Sequence, residues 1–264
     1  MNSANEAAKR GRLYLIPNTL DFGVDEAMQV DIQAVIPDQV LAIAAGITHW
    51  AAENAKTTRA FLKRVATIKP LNLPLQQLQI QELPRPPKGQ PRPGDDDSRA
   101  WTALLAPALQ GHDVGLISEA GLPAIADPGA RLVAAAHAAG IEVIPLSGPS
   151  SLLLALAASG LNGQSFAFVG YLPVEAAART QRLRDLESLS KRQQQTQLII
   201  ETPYRNGPLL QALLSSLKPS TRLSVSSGLS LADGFTYSAR VEDWKRAPHA
   251  LPDRIPAVFA LLAD

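Results

Sequence analysis

The sequence predicts an α/β fold in two parts, because apolar strand-like runs alternate with helix-like segments along the chain. Residues 114–117 and 141–144 are short apolar runs, typical of strands buried on both faces, and a helix-like segment joins them. Strands joined through a helix lie parallel with a right-handed crossover, so this stretch predicts a parallel sheet. After residue 164 several short strands follow, which predicts a mixed sheet with some antiparallel pairs.

In the first half, the segments are predicted from apolar runs and from helix start and stop signals. Strands are predicted at 13–17, 47–53, 78–83, 114–117 and 141–144. Helices are predicted at 37–45, 56–65, 98–110, 128–139 and 151–159. Asp127 is expected to cap the fourth helix, with Pro128 at its first position, and Gly140 and Gly160 end the last two.

The remaining segments set the domain organisation. Residues 1–11 are predicted to form a flexible tail, 18–31 a loop with a helical turn, and the proline-rich 84–97 a surface loop. The polar connection at 161–164 is the predicted boundary between a domain at 12–160 and a domain at 165–264. Strands of the second domain are predicted at 166–171, 197–201, 222–227, 235–238 and 255–262, with helices at 175–192 and 208–217.

Length and composition indicate a folded protein with room for two modest domains. The 264 residues are 46% hydrophobic and 19% charged. No apolar run approaches the roughly 20 residues of a membrane span, and the N-terminus lacks the apolar centre of a signal peptide. The absence of cysteine excludes disulfides and thiolate zinc sites and favours a cytoplasmic location. A net charge of +1 argues against a broadly basic nucleic-acid surface and leaves room for a local patch.

Two glycine-containing loops, at 118–123 and 147–150, follow predicted parallel strands. We expect them at the carboxyl ends of neighbouring strands, where open α/β sheets bind ligands, although ordinary βα loops have the same pattern. The sequence lacks G-x-G-x-x-G after the first strand, G-x-x-x-x-G-K-[ST] and G-x-S-x-G, which argues against dinucleotide, P-loop and hydrolase sites. Its four histidines lack ligand spacing, so no metal site is predicted.

Four motifs, in order along the chain, resemble those of the tetrapyrrole methylase family. Residues 118–129, SEAGLPAIADPG, are similar to the family pattern S-D-A-G-x-P-x-I-x-D-P-G. The run PLSGPS at 145–150 resembles P-x-P-G-P-S, and the SGL at 159–161 matches S-G-L. GYLP at 170–173 resembles G-F-L-P, and IETPYR at 200–205 resembles Y-E-S-P-H-R. The similarity covers nearly the whole chain from about Leu13 onward.

The resemblance implies a fold and an activity. Members have two α/β domains: the first a mostly parallel sheet with helices on both faces, the second a mixed sheet with helices. They are methyltransferases that bind S-adenosyl-L-methionine in the cleft between these domains, and they form homodimers. The branch to which the motifs are most similar 2′-O-methylates a cytidine of small-subunit ribosomal RNA. RNA or the small ribosomal subunit is therefore an expected partner, with neither membrane nor metal.

The resemblance also implies site residues. Those expected at the cofactor are Pro17, Ser118, Glu119, Ala120, Gly121, Ile125, Ala126, Ser150, Ser151, Leu172, Thr202 and Leu229. From sequence alone, Ile125 and Leu172 are as readily explained as core residues. Glu53, Arg59 and Arg205 are the candidates at the acceptor, for proton removal or charge stabilisation, although each is also typical of a surface ion pair.

Four segments depart from the family pattern. One is the histidine- and asparagine-bearing segment before the central stretch, which is replaced here by proline-rich sequence and DDDS at 95–98. The first loop, P-T-P-I-G-N in the family, is PNTLDFG at 17–23, and E-D-T-R is reduced to Glu53-Asn54 with Arg59 further on. The later E-L-[ST]-K is GLSL at 228–231, without the acid and the lysine. Two alternatives therefore stay open: a relative that binds the cofactor without turnover, as a binding or regulatory protein, and a methylase of a small heterocyclic metabolite. A nucleotide-dependent oxidoreductase is disfavoured by the missing fingerprint.

Overall fold

The computed structural model of the protein describes residues 9–21, 23–84, 98–247 and 249–264. Most of the predicted tail, and the predicted surface loop from residue 85 to 97, lie outside these residues. The chain divides into two compact units: the first holds 31–149 and the chain up to Thr19, and the second holds 20–30 and 150–264. Within the described ranges, no helix is long and apolar enough to cross a membrane.

The first unit contains a five-stranded sheet in which every pair is parallel, as predicted. Its strands are β1 (Leu13–Ile16), β2 (His49–Ala52), β3 (Gln79–Glu82), β4 (Val114–Ile117) and β5 (Val143–Pro145). The order across the sheet is β3-β2-β4-β1-β5. The expectation that β4 and β5 are neighbours was wrong, because β1 pairs with both and lies between them.

Helices cover both faces of this sheet, since successive strand residues point to opposite sides. The helices are α1 (Ile32–Val35), α2 (Asp38–Gly46), α3 (Ala55–Ala66), α4 (Ser98–Ala103), α5 (Ala106–Leu109) and α6 (Ala130–Ala138). Ile16, Trp50 and Ile117 share one apolar cluster with residues of α2 and α3. Leu13 and Leu116 share another with residues of α4, α5 and α6, on the opposite face.

Two helix predictions in this unit need correction. The single helix expected at 98–110 is two short helices, because Pro107 has no N–H to continue the ladder. The helix expected to begin at Asp127-Pro128 begins instead at Ala130, after Gly129, whose φ of 133° no helix allows. Asp127 therefore does not cap α6, and its carboxyl group is available for another role.

The second unit contains a mixed five-stranded sheet, as predicted. Its strands are β6 (Phe166–Gly170), β7 (Thr196–Ile200), β8 (Arg222–Ser227), β9 (Phe235–Arg240) and β10 (Ala257–Leu262), in the order β6-β7-β10-β8-β9. Only the β6–β7 pair of these strands is parallel. Its helices are α7 (Ser151–Ser159), α8 (Ala176–Gln193), α9 (Asn206–Ser216) and α10 (Val241–Arg246). Helix α10, which the sequence analysis did not predict, buries Trp244 completely.

Helix α7 belongs to the second unit. Its residues Leu152, Ala155 and Leu156 form one apolar cluster with Leu198 and other residues of the second sheet. The first unit therefore ends at Pro149, ahead of the boundary predicted at 161–164. Residues of α8, α9 and α10 form a second cluster with the other face of this sheet.

The contact between the loops after β1 and β5 leaves no room for a side chain at Gly148. A Cβ atom added there would lie 2.2 Å from Cβ of Pro17. We predict that Gly148→Ala lowers the free energy of unfolding by about 1–3 kcal/mol through overpacking. Urea denaturation measures the change, with Gly163→Ala as the matched control, since a Cβ atom there meets nothing within 4 Å. Equal midpoints for Gly148→Ala and the control would contradict this.

Candidate functional site

The candidate site lies at the carboxyl edge of the parallel sheet. The connection that leaves β1 leads to β2, and the connection that leaves β4 leads to β5 on the other side of β1. Adjacent strands β1 and β4 thus send the chain in opposite directions. Such a switch point is where open α/β sheets bind ligands. The loops that follow these two strands, at 17–19 and 118–129, therefore form the candidate site of the first unit.

Asn18 joins these two loops. Its backbone N–H donates to the carbonyl of Gly121 at 2.8 Å, within an isolated antiparallel bridge. Its side-chain amide donates to the carbonyls of Ser118 and Glu119 at 3.1 and 3.0 Å, and its side-chain oxygen accepts from the N–H of Thr19 at 2.9 Å. The side chain is buried, so these bonds replace hydration that the loop carbonyls have lost.

Glu53 connects the loop after β2 to the same site. Its N–H donates to the carbonyl of Ile117 at 3.0 Å, and its carboxylate accepts from the N–H of Glu119 at 2.9 Å. Burial, together with the charges of Glu53 and Glu119, raises the pKa of the Asp127 carboxyl to about 7. The edge of the sheet is therefore acidic, and Asp127 changes its charge near neutral pH. Among the described residues, no group of three or more His, Cys, Asp or Glu side chains is arranged to hold a metal ion.

The loop between β4 and α6 is strained. Ala124 and Ala126 have φ angles of 67° and 65°, in the left-handed region that disfavours a Cβ atom by roughly 1–2 kcal/mol per residue. Strain of this kind persists where surrounding contacts fix the backbone, and it is frequent at ligand sites. Here it directs Ile125 outward, with 47% of its surface exposed.

Beside this loop lies an apolar hollow of about 280 Å³. It is lined by Leu15, Leu122, Pro123, Ala124, Ile125, Ala130, Val133, Pro145 and Leu146. Ser118, at the start of the loop, is 3% exposed, and its hydroxyl has no hydrogen-bond partner within the described structure. The lining of the hollow suits the apolar part of a ligand.

The structure brings one group of predicted site residues together at this edge and in the strained loop. The group comprises Pro17, Glu53, Ser118, Glu119, Ala120, Gly121, Ile125 and Ala126. Arg59 is exposed on α3, where its guanidinium bonds only the carbonyl of Ala55 among the described residues. Sequence analysis missed Asn18 and took Asp127 for a helix cap, although both directly adjoin segments that it singled out.

The other predicted residues lie in the second unit. Ser150 and Ser151 are at the start of α7, and Leu229 packs in the cluster that contains residues of that helix. Leu172 is 5% exposed and lies in the apolar cluster of the opposite face. Arg205 forms an ion pair with Glu201 at 2.9 Å and donates from Nε to the hydroxyl of Thr202 at 3.3 Å. Within the unit, these residues therefore lie apart: Ser150, Ser151 and Leu229 lie at α7, and Leu172, Thr202 and Arg205 lie in the loops after β6 and β7.

Comparison with known proteins gives consistent results. Residues 46–244 match the sequence profile of the tetrapyrrole (corrin/porphyrin) methylases. The chain is 33% identical to "Ribosomal RNA small subunit methyltransferase I" of Vibrio cholerae, over 56% of this chain and 54% of that protein. It is 42% identical to the protein of the same name from Mesorhizobium japonicum, over 45% of this chain and 39% of that protein. The chain thus spans about half or less of the length of these relatives.

Solved structures share the fold. The uroporphyrin-III-C-methyltransferase from Thermus thermophilus matches with a TM-score of 0.50 at 19% identity, covering 96% of this chain and 94% of that one. The methyltransferase CobJ matches with a TM-score of 0.51 at 16% identity, and the match covers 96% of this chain and 100% of that one. At these identities the likeness establishes the arrangement of the chain alone.

The raised pKa of Asp127 predicts a pH-dependent stability. Because the pKa in the folded chain is about 7 and the ordinary value is 3.8, the folded state holds a proton that the unfolded state releases between these values. The contribution of Asp127 to the free energy of unfolding therefore falls as pH rises from 4 to 8. We predict that Asp127→Asn removes this fall, so that the variant gains stability relative to the parent at pH 8 and not at pH 4.

Urea denaturation at both pH values measures the effect. Asp253→Asn, at an exposed carboxyl group, is the control and should leave the slope unchanged. We call Glu53, Glu119 and Asp127 the acidic cluster. This assignment fails if Asp127→Asn and the parent chain lose stability equally between pH 4 and pH 8.

Proposed function

Because the chain belongs to the tetrapyrrole methylase family, we propose that it is an S-adenosyl-L-methionine-dependent methyltransferase that acts on RNA of the small ribosomal subunit. The match over 46–244 carries this proposal, because it includes the whole candidate loop at 118–129. The names of the relatives from Vibrio cholerae and Mesorhizobium japonicum support ribosomal RNA as the acceptor. The same proposal includes a cytoplasmic location and a homodimer. Light scattering would detect the homodimer.

The residues of the first unit fit the cofactor. Ser118 has a buried hydroxyl without a hydrogen-bond partner in the part of the chain that the structure describes, and the apolar hollow beside Ile125 can take an apolar part of the ligand. Gly121, with a φ of 65° and no side chain, lets a ligand approach the backbone closely. When bound, S-adenosyl-L-methionine supplies an electrophilic methyl group on a sulfonium. For the second unit, the family resemblance implies Ser150, Ser151, Leu172, Thr202 and Leu229 as cofactor residues, and they stay a prediction.

Methyl transfer to a ribose hydroxyl requires alignment and removal of one proton. Alignment contributes about 7–11 kcal/mol in well-oriented reactions, so rigid loops matter more than strong bases. We assign the proton to a carboxylate of the acidic cluster: Glu53, or Asp127, whose pKa of about 7 suits a general base at neutral pH. Arg59 and Arg205 are proposed to stabilise charge on the acceptor.

A second candidate is a protein that binds the cofactor without turnover. The segment 228–231 favours it, because the family's acid and lysine are replaced there by Gly228 and Leu231. Gly228 and Ser230 have φ angles of 63° and 69°, so the backbone of this segment is tightly turned. Cofactor binding without methyl transfer to any acceptor would decide for this candidate.

The test is transfer of tritium-labelled methyl groups to small ribosomal subunits from a strain that lacks the protein. The proposal expects label on the 2′-oxygen of a cytidine of the RNA. Label on free heterocycles of a cell extract, and none on RNA, would indicate a small-molecule methylase. A folded chain that binds no S-adenosylhomocysteine by calorimetry would overturn the whole proposal.

Ser118 provides a local test of cofactor binding. We predict that Ser118→Ala weakens S-adenosylhomocysteine binding about 3- to 10-fold, the effect of one hydrogen bond of ~0.5–1.5 kcal/mol. The change should not lower stability, because the hydroxyl has no hydrogen-bond partner among the described residues. Ser224→Ala is the matched control, since Ser224 is 1% exposed and its hydroxyl is equally unpartnered on β8. Unchanged calorimetric affinity in Ser118→Ala would place the cofactor elsewhere.

A further inference from the structure

Two tyrosines project from the carboxyl edge of the parallel β6–β7 pair. Tyr171 directly follows β6 and is 58% exposed, and Tyr204 lies four residues after β7 and is 75% exposed. Because the two strands are parallel neighbours, both loops begin at the same edge of the sheet. Tyrosine is ordinarily more buried than this, so two exposed rings at one edge indicate a binding surface. We call them the tyrosine pair.

The position of Tyr171 depends on a local irregularity in β6. The pairing of β6 with β7 shifts register between Phe168 and Gly170, and Gly170 has a φ of 74°. Irregularities of this kind re-aim the residue that follows and are frequent next to functional sites. Arg179, on α8, reaches back to this loop, where its Nη1 donates to the carbonyl of Val174 at 3.0 Å. A cation is thus held beside the loop that carries Tyr171.

The position of Tyr204 is fixed by its neighbour. The guanidinium carbon of Arg205 lies 5.8 Å from the centroid of the Tyr204 ring, within cation–π distance. Arg205 is in turn held by Glu201, whose side chain is 6% exposed, through an ion pair of 2.9 Å. The Tyr204 ring is therefore part of a turn, Pro203–Arg205, that the buried carboxylate of Glu201 holds in place.

We propose that the tyrosine pair stacks unpaired bases of a single-stranded segment of the RNA acceptor. Sequence-tolerant recognition of unpaired RNA uses aromatic rings and arginine guanidinium planes, because every base has a π face. Arg179 and Arg205 place a guanidinium group beside each of the two loops, and guanidinium planes stack on bases as aromatic rings do, which favours RNA over a protein partner. The inference deepens the proposed function, on which the choice of RNA rests, and assigns to Tyr171 and Tyr204 a role that the family motifs did not indicate.

The experiment uses the full chain and a 5′-fluorescein-labelled single-stranded oligocytidylate of 12 nucleotides, with binding followed by fluorescence anisotropy. Tyr171→Ala and Tyr204→Ala should each weaken binding about 5- to 150-fold, which corresponds to ~1–3 kcal/mol for one stacked base. Tyr171→Phe and Tyr204→Phe should bind like the parent, because they keep the ring. Thermal melts verify that all four variants fold.

A second probe separates bases from phosphates. An abasic 12-mer with the same backbone should bind the parent and the alanine variants equally, because stacking is absent from it. The inference is overturned if the alanine variants bind oligocytidylate with the affinity of the parent, which is the result expected of a site for a protein partner. It is also overturned if the alanine variants lose affinity for oligocytidylate and for the abasic 12-mer to the same extent. Tyrosine-dependent oligocytidylate binding without methyl transfer would reject the proposed function alone. Methyl transfer to RNA with tyrosine-independent binding would reject this inference alone.

Discussion

The loops at the carboxyl edge of the first sheet depend on one buried side chain, that of Asn18. The ends of β1 and β4 are where the chain leaves in opposite directions, so backbone carbonyls there lack strand partners. The carboxamide of Asn18 donates to two of these carbonyls and accepts from one N–H. Each buried polar group left unpaired would cost about 1–3 kcal/mol. The edge of the sheet is consequently organised by the chain itself before any ligand arrives.

This fixed base lets the following loop hold an unfavourable shape. Ala124 and Ala126 keep left-handed backbone, and Asp127 stays close to the charges of Glu53 and Glu119. Both features raise the free energy of the loop, and both persist because hydrogen bonds on either side hold the backbone. The second unit has a similar but smaller arrangement, because the buried carboxylate of Glu201 orients Arg205 after β7. In each unit, side chains of the loops at strand ends fix the backbone of those loops.

Much of the fold could be predicted from the sequence, because buried strands are apolar runs and glycines end helices. The parallel first sheet and the mixed second sheet were both predicted correctly. Strand order could not be predicted, since the place of β1 between β4 and β5 depends on pairing between distant segments. The role of Asn18 was hidden for the same reason: its partner Ser118 is 100 residues away. The exposure of Tyr204 likewise depends on what the folded chain leaves uncovered.

The central claim is that the carboxyl edge of the first sheet binds the methyl donor. Amide hydrogen exchange, measured by mass spectrometry with and without saturating S-adenosylhomocysteine, tests it most directly. We predict slower exchange at 118–129 and at 17–19, since the ligand would stabilise the loops that Asn18 joins. Protection confined to other segments, with unchanged exchange at 118–129, would contradict it.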